Sequence, residues 1–201
     1  SCGQPLQGQS IKIVNQDHQT LPDLEIGEIA IRGDSIFTEY FMNKDQKKIT
    51  PDGYYLTGDE GFIKDQNLYP MGRKKDVIIF NGTKHFSVDL ESYLFESLRP
   101  ELGRIACVQV EYPYIVAEIP WHHFYKIPFL QRKIFKLIHP KIKVRHQHII
   151  LVPQFDLPRT TSGKIQRYKV IEKIESGSYF KFAYFLRTIL FLLQQSKGLR
   201  K

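Results

Sequence analysis

Residues 72–83 read Gly72-Arg73-Lys74-Lys75-Asp76-Val77-Ile78-Ile79-Phe80-Asn81-Gly82-Thr83. The apolar run from Val77 to Phe80 suits a short strand. Asn81-Gly82 stands where a hairpin would turn, because both central positions of a type I′ turn need positive φ. Just beyond, Ser87 is placed to cap a helix and Asp89 suits its first turn. Leu90, Leu94 and Leu98 recur at four-residue spacing on one face, and Pro100 ends the pattern. A hairpin running into an amphipathic helix marks the start of an α+β unit.

The same unit continues toward the C terminus. Residues 105–110 and 114–119 read as strands, with Glu111-Tyr112-Pro113 between them. Pro128 suits the first position of a helix that carries Leu130, Ile134 and Ile138 on one face, with Pro140 just beyond its end. Residues 148–152 make a final strand before a loop and a last helical stretch. In the other direction, residues 11–14 and 28–32 are short apolar strands separated by the turn-rich segment 15–27. Residues 61–64 and 68–71 are two more, joined by Asp65-Gln66-Asn67. The expected organisation is an α+β fold: a β-rich part over residues 1–72, a hinge at 73–76, an α+β domain over 77–175, and an apolar and basic tail over 176–201.

The composition bounds the class. A chain of 201 residues holds one or two domains. Its 42% hydrophobic and 25% charged residues are ordinary for soluble globular protein. Cys2 and Cys107 make neither a disulfide framework nor a metal site, and they fit a reducing cytoplasm, with Cys107 in a core strand. The first residue is Ser1, which suggests a processed chain or a fragment, and residues 1–10 lack the pattern of a signal peptide. In the tail, residues 182–193 are apolar except for Arg187 and Thr188, a run shorter than the roughly 17–25 residues a bilayer-spanning helix needs. Two readings stay open there: a helix packed on the protein or a partner, and an interfacial membrane helix through residues 179–193, helped by Lys181, Arg187, Lys197, Arg200 and Lys201 in and around it. The net charge of +8 gathers at Arg73, Lys74 and Lys75 and along residues 126–145. Few exposed aromatics are expected to interleave with the second group, so nucleic acid is not an expected partner.

Three segments carry chemistry. In Gly53-Tyr54-Tyr55-Leu56-Thr57-Gly58-Asp59-Glu60-Gly61, a carboxylate held after glycine, in a turn before a strand, can accept hydrogen bonds from a vicinal diol such as a ribose; a plain capped turn is the alternative. Arg73, Lys74 and Lys75 stand at the junction of two units, where a guanidinium fork or an ammonium can hold a phosphate and where hinges form; a surface ion-pair cluster with Asp76 is the alternative. In Leu157-Pro158-Arg159-Thr160-Thr161-Ser162-Gly163-Lys164-Ile165-Gln166-Arg167, the glycine spacing of a P-loop is absent. What remains is a flexible loop presenting Lys164 as a mobile cation, able to neutralise charge as a carboxylate attacks phosphorus.

Taken together and in order, these segments resemble the ribose-binding aspartate motif, the hinge motif and the C-terminal lysine motif of the acyl-adenylate-forming superfamily. Asn81-Gly82-Thr83-Lys84-His85-Phe86-Ser87-Val88-Asp89-Leu90-Glu91 and the opening Ser1-Cys2-Gly3-Gln4-Pro5-Leu6 are similar to the fatty-acyl-AMP ligase branch. Lys84 departs from that branch, where Asn is usual, and Ser87-Val88 departs where Pro is common. The resemblance implies that Asp59 binds the ribose hydroxyls of ATP, with Arg73 assisting. It implies that Lys75 is the hinge of a mobile C-terminal domain, and that Lys164 reaches the carboxylate and α-phosphate oxygens.

It also implies ATP as substrate, Mg2+ with the complete enzyme, a fatty acid, and either CoA or an acyl carrier protein as acceptor. The resemblance covers nearly all of residues 1–175 but only the last portion of a typical member. The phosphate loop, adenine pocket and acyl tunnel belong to the large N-terminal domain in that family. The chain is therefore expected to be inactive alone, and two origins fit: a fragment of a longer ligase, or one partner of a split enzyme that an N-terminal partner chain would complete. The alternatives are a noncatalytic remnant or module that binds a protein or membrane, and a fragment of an acyl-CoA synthetase.

Overall fold

The computed structural model describes residues 1–36 and 48–179. The expected helical tail lies, from residue 180 onward, outside the described residues. The chain divides into two compact units, Ser1–Lys75 and Asp76–Lys201, and the fold is α+β.

The first unit is a four-stranded antiparallel sheet in the order β1 (Gln9–Val14), β2 (Gly27–Gly33), β3 (Tyr55–Lys64), β4 (Asn67–Arg73). The β1–β2 register sets Ile11 against Ile31 and Ile13 against Ile29. Ile13 and Ile29 are buried as a cross-strand pair on one face, and Val14 and Ala30 are buried on the other. Asn15 organises the return from β1: its Oδ1 accepts from the amides of Asp17 and Gln19, both at 2.9 Å. β3 and β4 are longer than the apolar runs suggested. β3 reaches back to Tyr55, so Asp59 lies within a strand and not in a turn before one.

The second unit opens with the hairpin β5 (Val77–Phe80) and β6 (Thr83–Phe86). Asn81 and Gly82 turn it at φ 48° and 74°, as the sequence requires. Helix α1 (Ser87–Leu98) follows directly. Ser87 is its first helical residue; its side chain makes no cap, and its amide donates to the Asp76 carbonyl at 3.0 Å. A three-stranded sheet follows in the order β7 (Ile105–Gln109), β8 (Pro113–Ile119), β9 (Ile149–Pro153), with β7–β8 antiparallel and β8–β9 parallel. The parallel pair needs a crossover, which is supplied by a 3-10 turn over Trp121–Lys126 and helix α2 (Ile127–Ile142). α2 runs past the expected stop. Pro140 sits inside the helix, which closes at Lys143 in the left-handed region once Ile142 is buried.

Alternate sheet residues feed two cores, as the strand period of two dictates. Ile105, Cys107, Ile115, Ala117, Ile149 and Leu151 pack with Leu90, Leu94 and Leu98 of α1 and with Leu130, Ile134 and Ile138 of α2. Ala106, Val108, Val116, Ile150 and Val152 meet Leu157 and the inner face of α3 (Arg167–Glu175), Val170 and Ile174. The unit thus has three layers, with α1 and α2 on one face of the sheet and α3 on the other. Among the described residues, no helix is long and apolar enough to cross a membrane.

Candidate functional site

In the first unit, Asp59 is presented by broken pairing. Between the pairs Glu28–Glu60 and Ala30–Leu56, the single residue Ile29 of β2 faces Thr57, Gly58 and Asp59 of β3. A second irregularity follows on the other side, between Glu60–Gly72 and Gly61–Pro70. Such bulges bend a strand and re-aim its side chains. Gly58 takes φ 78° with open space where a Cβ would stand, so conformation and not room demands glycine there.

The bulge is held from both sides. The Thr57 hydroxyl donates to the Ile29 carbonyl at 2.9 Å and accepts the Asp59 amide at 3.1 Å. Glu28 accepts the Gly58 amide at 3.2 Å through Oε1 and the Lys74 ammonium at 2.8 Å through Oε2. The Lys74 amide donates to the Gly58 carbonyl at 2.9 Å. Asp59 stands opposite Arg73 across β3 and β4, and Arg73 Nε lies 3.2 Å from Asp59 Oδ1. With side chains 68% and 41% exposed, this pair contributes little to stability and opens readily to a ligand. A carboxylate beside a guanidinium on neighbouring strands offers acceptors for a diol and a fork for a phosphate. Glu28 had no role in the sequence reading, since only the sheet brings it to the bulge; Lys74, read as one of three junction cations, pairs with it. Lys75 is exposed at the last position of the unit.

In the second unit, Lys164 stands on a hydrogen-bonded hairpin and not on a flexible loop. Arg159 and Ile165 form a bridge. The Gly163 amide donates to the Thr160 carbonyl at 2.9 Å, and the Thr160 amide to the Lys164 carbonyl at 2.9 Å. The Lys164 amide donates to the Thr160 hydroxyl at 3.1 Å, which also lies 2.9 Å from Ser162 Oγ. Gly163 supplies the positive φ of 83° that closes the turn. The backbone is thus pinned while the Lys164 side chain is exposed, and no carboxylate pairs with its ammonium among the described residues.

Arg167, the last residue of the same motif, anchors the hairpin. Its Nη1 reaches Asp76 Oδ2 at 2.8 Å, and its Nη2 and Nε reach the two oxygens of Glu91 at 2.6 and 3.2 Å. Glu91 Oε1 also accepts the Cys107 amide at 2.8 Å. One guanidinium therefore joins α3 to α1, β7 and the start of β5. Burial pushes the Glu91 carboxyl up, and the Arg167 guanidinium with the Cys107 amide pulls it back. Burial, with the Glu91 charge beside it, pushes the Cys107 thiol well up, as befits a packed residue and not a nucleophile. The sequence reading gave Arg167 no role, because its partners lie 76 and 91 positions away.

The basic segment over residues 126–145 also differs from expectation. Trp121, Tyr125 and Phe129 are all exposed beside it. Among the described residues, no group of three His, Cys, Asp or Glu side chains could hold a metal ion.

No protein-family model matches the chain. It is 31% identical over 172 residues to microperfuranone synthase of Emericella nidulans, covering 77% of this chain and 18% of that protein. It is 28% identical over 192 residues to the long-chain-fatty-acid–AMP ligase FadD26 of Mycobacterium tuberculosis, covering 85% of this chain and 33% of that one. Among solved structures, McyG A-PCP complexed with phenylalanyl-adenylate superposes with a TM-score of 0.76 at 26% identity, covering 96% of this chain and 32% of the other. A fatty acyl-adenylate ligase, from work on such enzymes of E. coli and L. pneumophila, gives 0.77 at 26% identity, covering 88% and 32%. The chain thus spans a third or less of the length of these proteins. The fold and the motifs it displays are those of adenylate-forming enzymes. More particularly, this chain is similar to the C-terminal portion of acyl-adenylate-forming ligases and adenylation domains.

Proposed function

We propose that the chain is the C-terminal part of an ATP-dependent fatty acid ligase that forms acyl-AMP and releases pyrophosphate. The observation that carries this reading is the exposed ammonium of Lys164, without a carboxylate partner among the described residues, on a backbone-pinned hairpin within a motif ordered behind those of Asp59 and Arg73. In this reading Asp59 takes the two ribose hydroxyls of ATP and Arg73 turns from Asp59 to the ribose or phosphate. A fatty-acid carboxylate oxygen attacks the α-phosphorus, the new oxygen–phosphorus bond forms, and the bond to pyrophosphate breaks. Lys164 neutralises the charge that develops on the oxygens about that phosphorus. In-line attack needs positioning above all, and well-oriented reactants contribute up to about 7–11 kcal/mol.

Lys75 is the pivot that brings Lys164 to the nucleotide and, after adenylation, lets it leave for the CoA or carrier-protein step. The Mg2+ that accompanies ATP finds no cluster of ligands among the described residues, and no step here is assigned to it. The FadD26 relative favours AMP-ligase chemistry, and the McyG A-PCP structure favours a carrier domain as acceptor, with CoA the other choice.

Pyrophosphate release from ATP, a long-chain fatty acid and Mg2+ tests the proposal. The chain alone should give no turnover, and fusion behind the N-terminal portion of a fatty-acid–AMP ligase should restore it. Robust turnover by the chain alone, or none from a folded fusion, would contradict the reading.

A further inference from the structure

The face formed by the 3-10 turn and the outer side of α2 has no part in the chemistry above. Residues 119–155 contain no Asp or Glu, yet carry seven Lys or Arg and five His. Three large side chains protrude there: Trp121 at 64%, Tyr125 at 71% and Phe129 at 53% exposure. The inner side of α2 is already satisfied, with Leu130, Ile134, Ile138 and Ile142 fully buried, so folding alone gives these three rings no reason to be apolar. Three large exposed rings at four-residue spacing, 121, 125 and 129, point to a binding face.

The cations are interleaved with the rings. Lys126 lies over Tyr125 at 5.7 Å and Lys133 over Phe129 at 4.7 Å, while Trp121 leans on Phe124 at 4.8 Å. Arg132 and Lys136 are exposed on the same helix. Of the carboxylates packed nearby, Glu101 engages Lys133 at 3.5 Å and leaves Lys126, Arg132 and Lys136 uncompensated among the described residues. Amphipathic rings surrounded by Lys and Arg match the headgroup layer of a bilayer: the rings enter the interface, the alkyl stems lie along it, and the charges meet anionic lipid.

We infer that this face is a peripheral docking surface for an anionic membrane. The residues that build it, between 121 and 136, lie outside the segment 180–201 in sequence. Its occupant is a phospholipid surface, which would hold the chain where fatty acids partition.

The chain's single tryptophan is Trp121, which makes the test specific to this face. The full chain is mixed with vesicles of phosphatidylcholine containing phosphatidylserine, and with phosphatidylcholine alone, while flotation and tryptophan emission are followed. The anionic vesicles should bind the chain and shift Trp121 emission to the blue, and high salt should weaken both effects. Each cation removed should weaken binding about fivefold, so R132A with K136A should lose roughly twenty-fivefold. Y125S with F129S should reduce the blue shift. All four side chains are exposed or on the outer face, and matching circular dichroism spectra would confirm that the variants fold. The inference is overturned if the chain fails to float, or floats with unchanged Trp121 emission. It is equally overturned if a single-stranded oligonucleotide perturbs Trp121 and the vesicles do not, which would make this face a nucleic-acid site.

Discussion

A carboxylate in the middle of an antiparallel strand has two ordinary directions, toward the core or toward water, and neither alone makes a binding group. Asp59 escapes that choice because Gly58 adopts a φ that other residues resist and Gly61 lets β4 close in. A Cβ on Gly61 would stand 2.6 Å from the Tyr69 carbonyl. His148 shows the opposite case, a titratable ring spent on packing. It is buried and stacked on Tyr114 at a centroid distance of 4.3 Å. Burial, reinforced by the Arg145 charge, lowers its pKa below the ordinary 6.5. The unfolded chain therefore binds this proton more readily, and the ring's stabilising contribution is complete above the ordinary value and fades as pH falls through it. Urea unfolding at about pH 7.5 and about pH 5.5 should show a larger loss on acidification for the wild type than for His148→Gln. Equal losses would place the pH sensitivity elsewhere.

Among the elements, what local chemistry dictates was legible and what distant partners dictate was not. The Asn81-Gly82 turn, the Leu90, Leu94 and Leu98 face and the strand pair β7 and β8 follow from neighbours in sequence, and each stands within a residue of where it was read. Pro140 misled because burial of Ile142 carries α2 onward through a residue that removes a helix hydrogen bond. Lys164 was singled out by type and motif, but the hydrogen-bonded form of its hairpin depends on Thr160 bonding back across the turn, which composition rich in Thr, Ser and Gly disguises as flexibility. Arg167 was invisible until Asp76 and Glu91 came together. Its loss tests the element scale: Arg167→Met leaves Glu91 buried without its counter-charge and should destabilise the second unit by about 3–5 kcal/mol. Because the buried carboxyl's pKa then rises further, the loss should grow from mildly acidic to alkaline pH. Pairing the change with Glu91→Gln should recover part of the stability in chemical denaturation, and strictly additive losses would deny the coupling.

For the whole molecule, the sequence disclosed the α+β class and the order of the motifs, and solved structures of which the chain covers about a third carry the same fold. In the proposed function, Asp59 and Arg73 of one unit and Lys164 of the other would act on one nucleotide, with Lys75 as the proposed pivot, so that reading stands or falls on these groups sharing a substrate. The most direct measurement is acyl-AMP formation by the fused, active enzyme carrying Lys164→Ala. The account predicts that kcat falls by about 10²–10³-fold, the scale of removing one charge-stabilising donor, while KM for ATP stays nearly constant because Asp59 still holds the ribose. An unchanged kcat would contradict it.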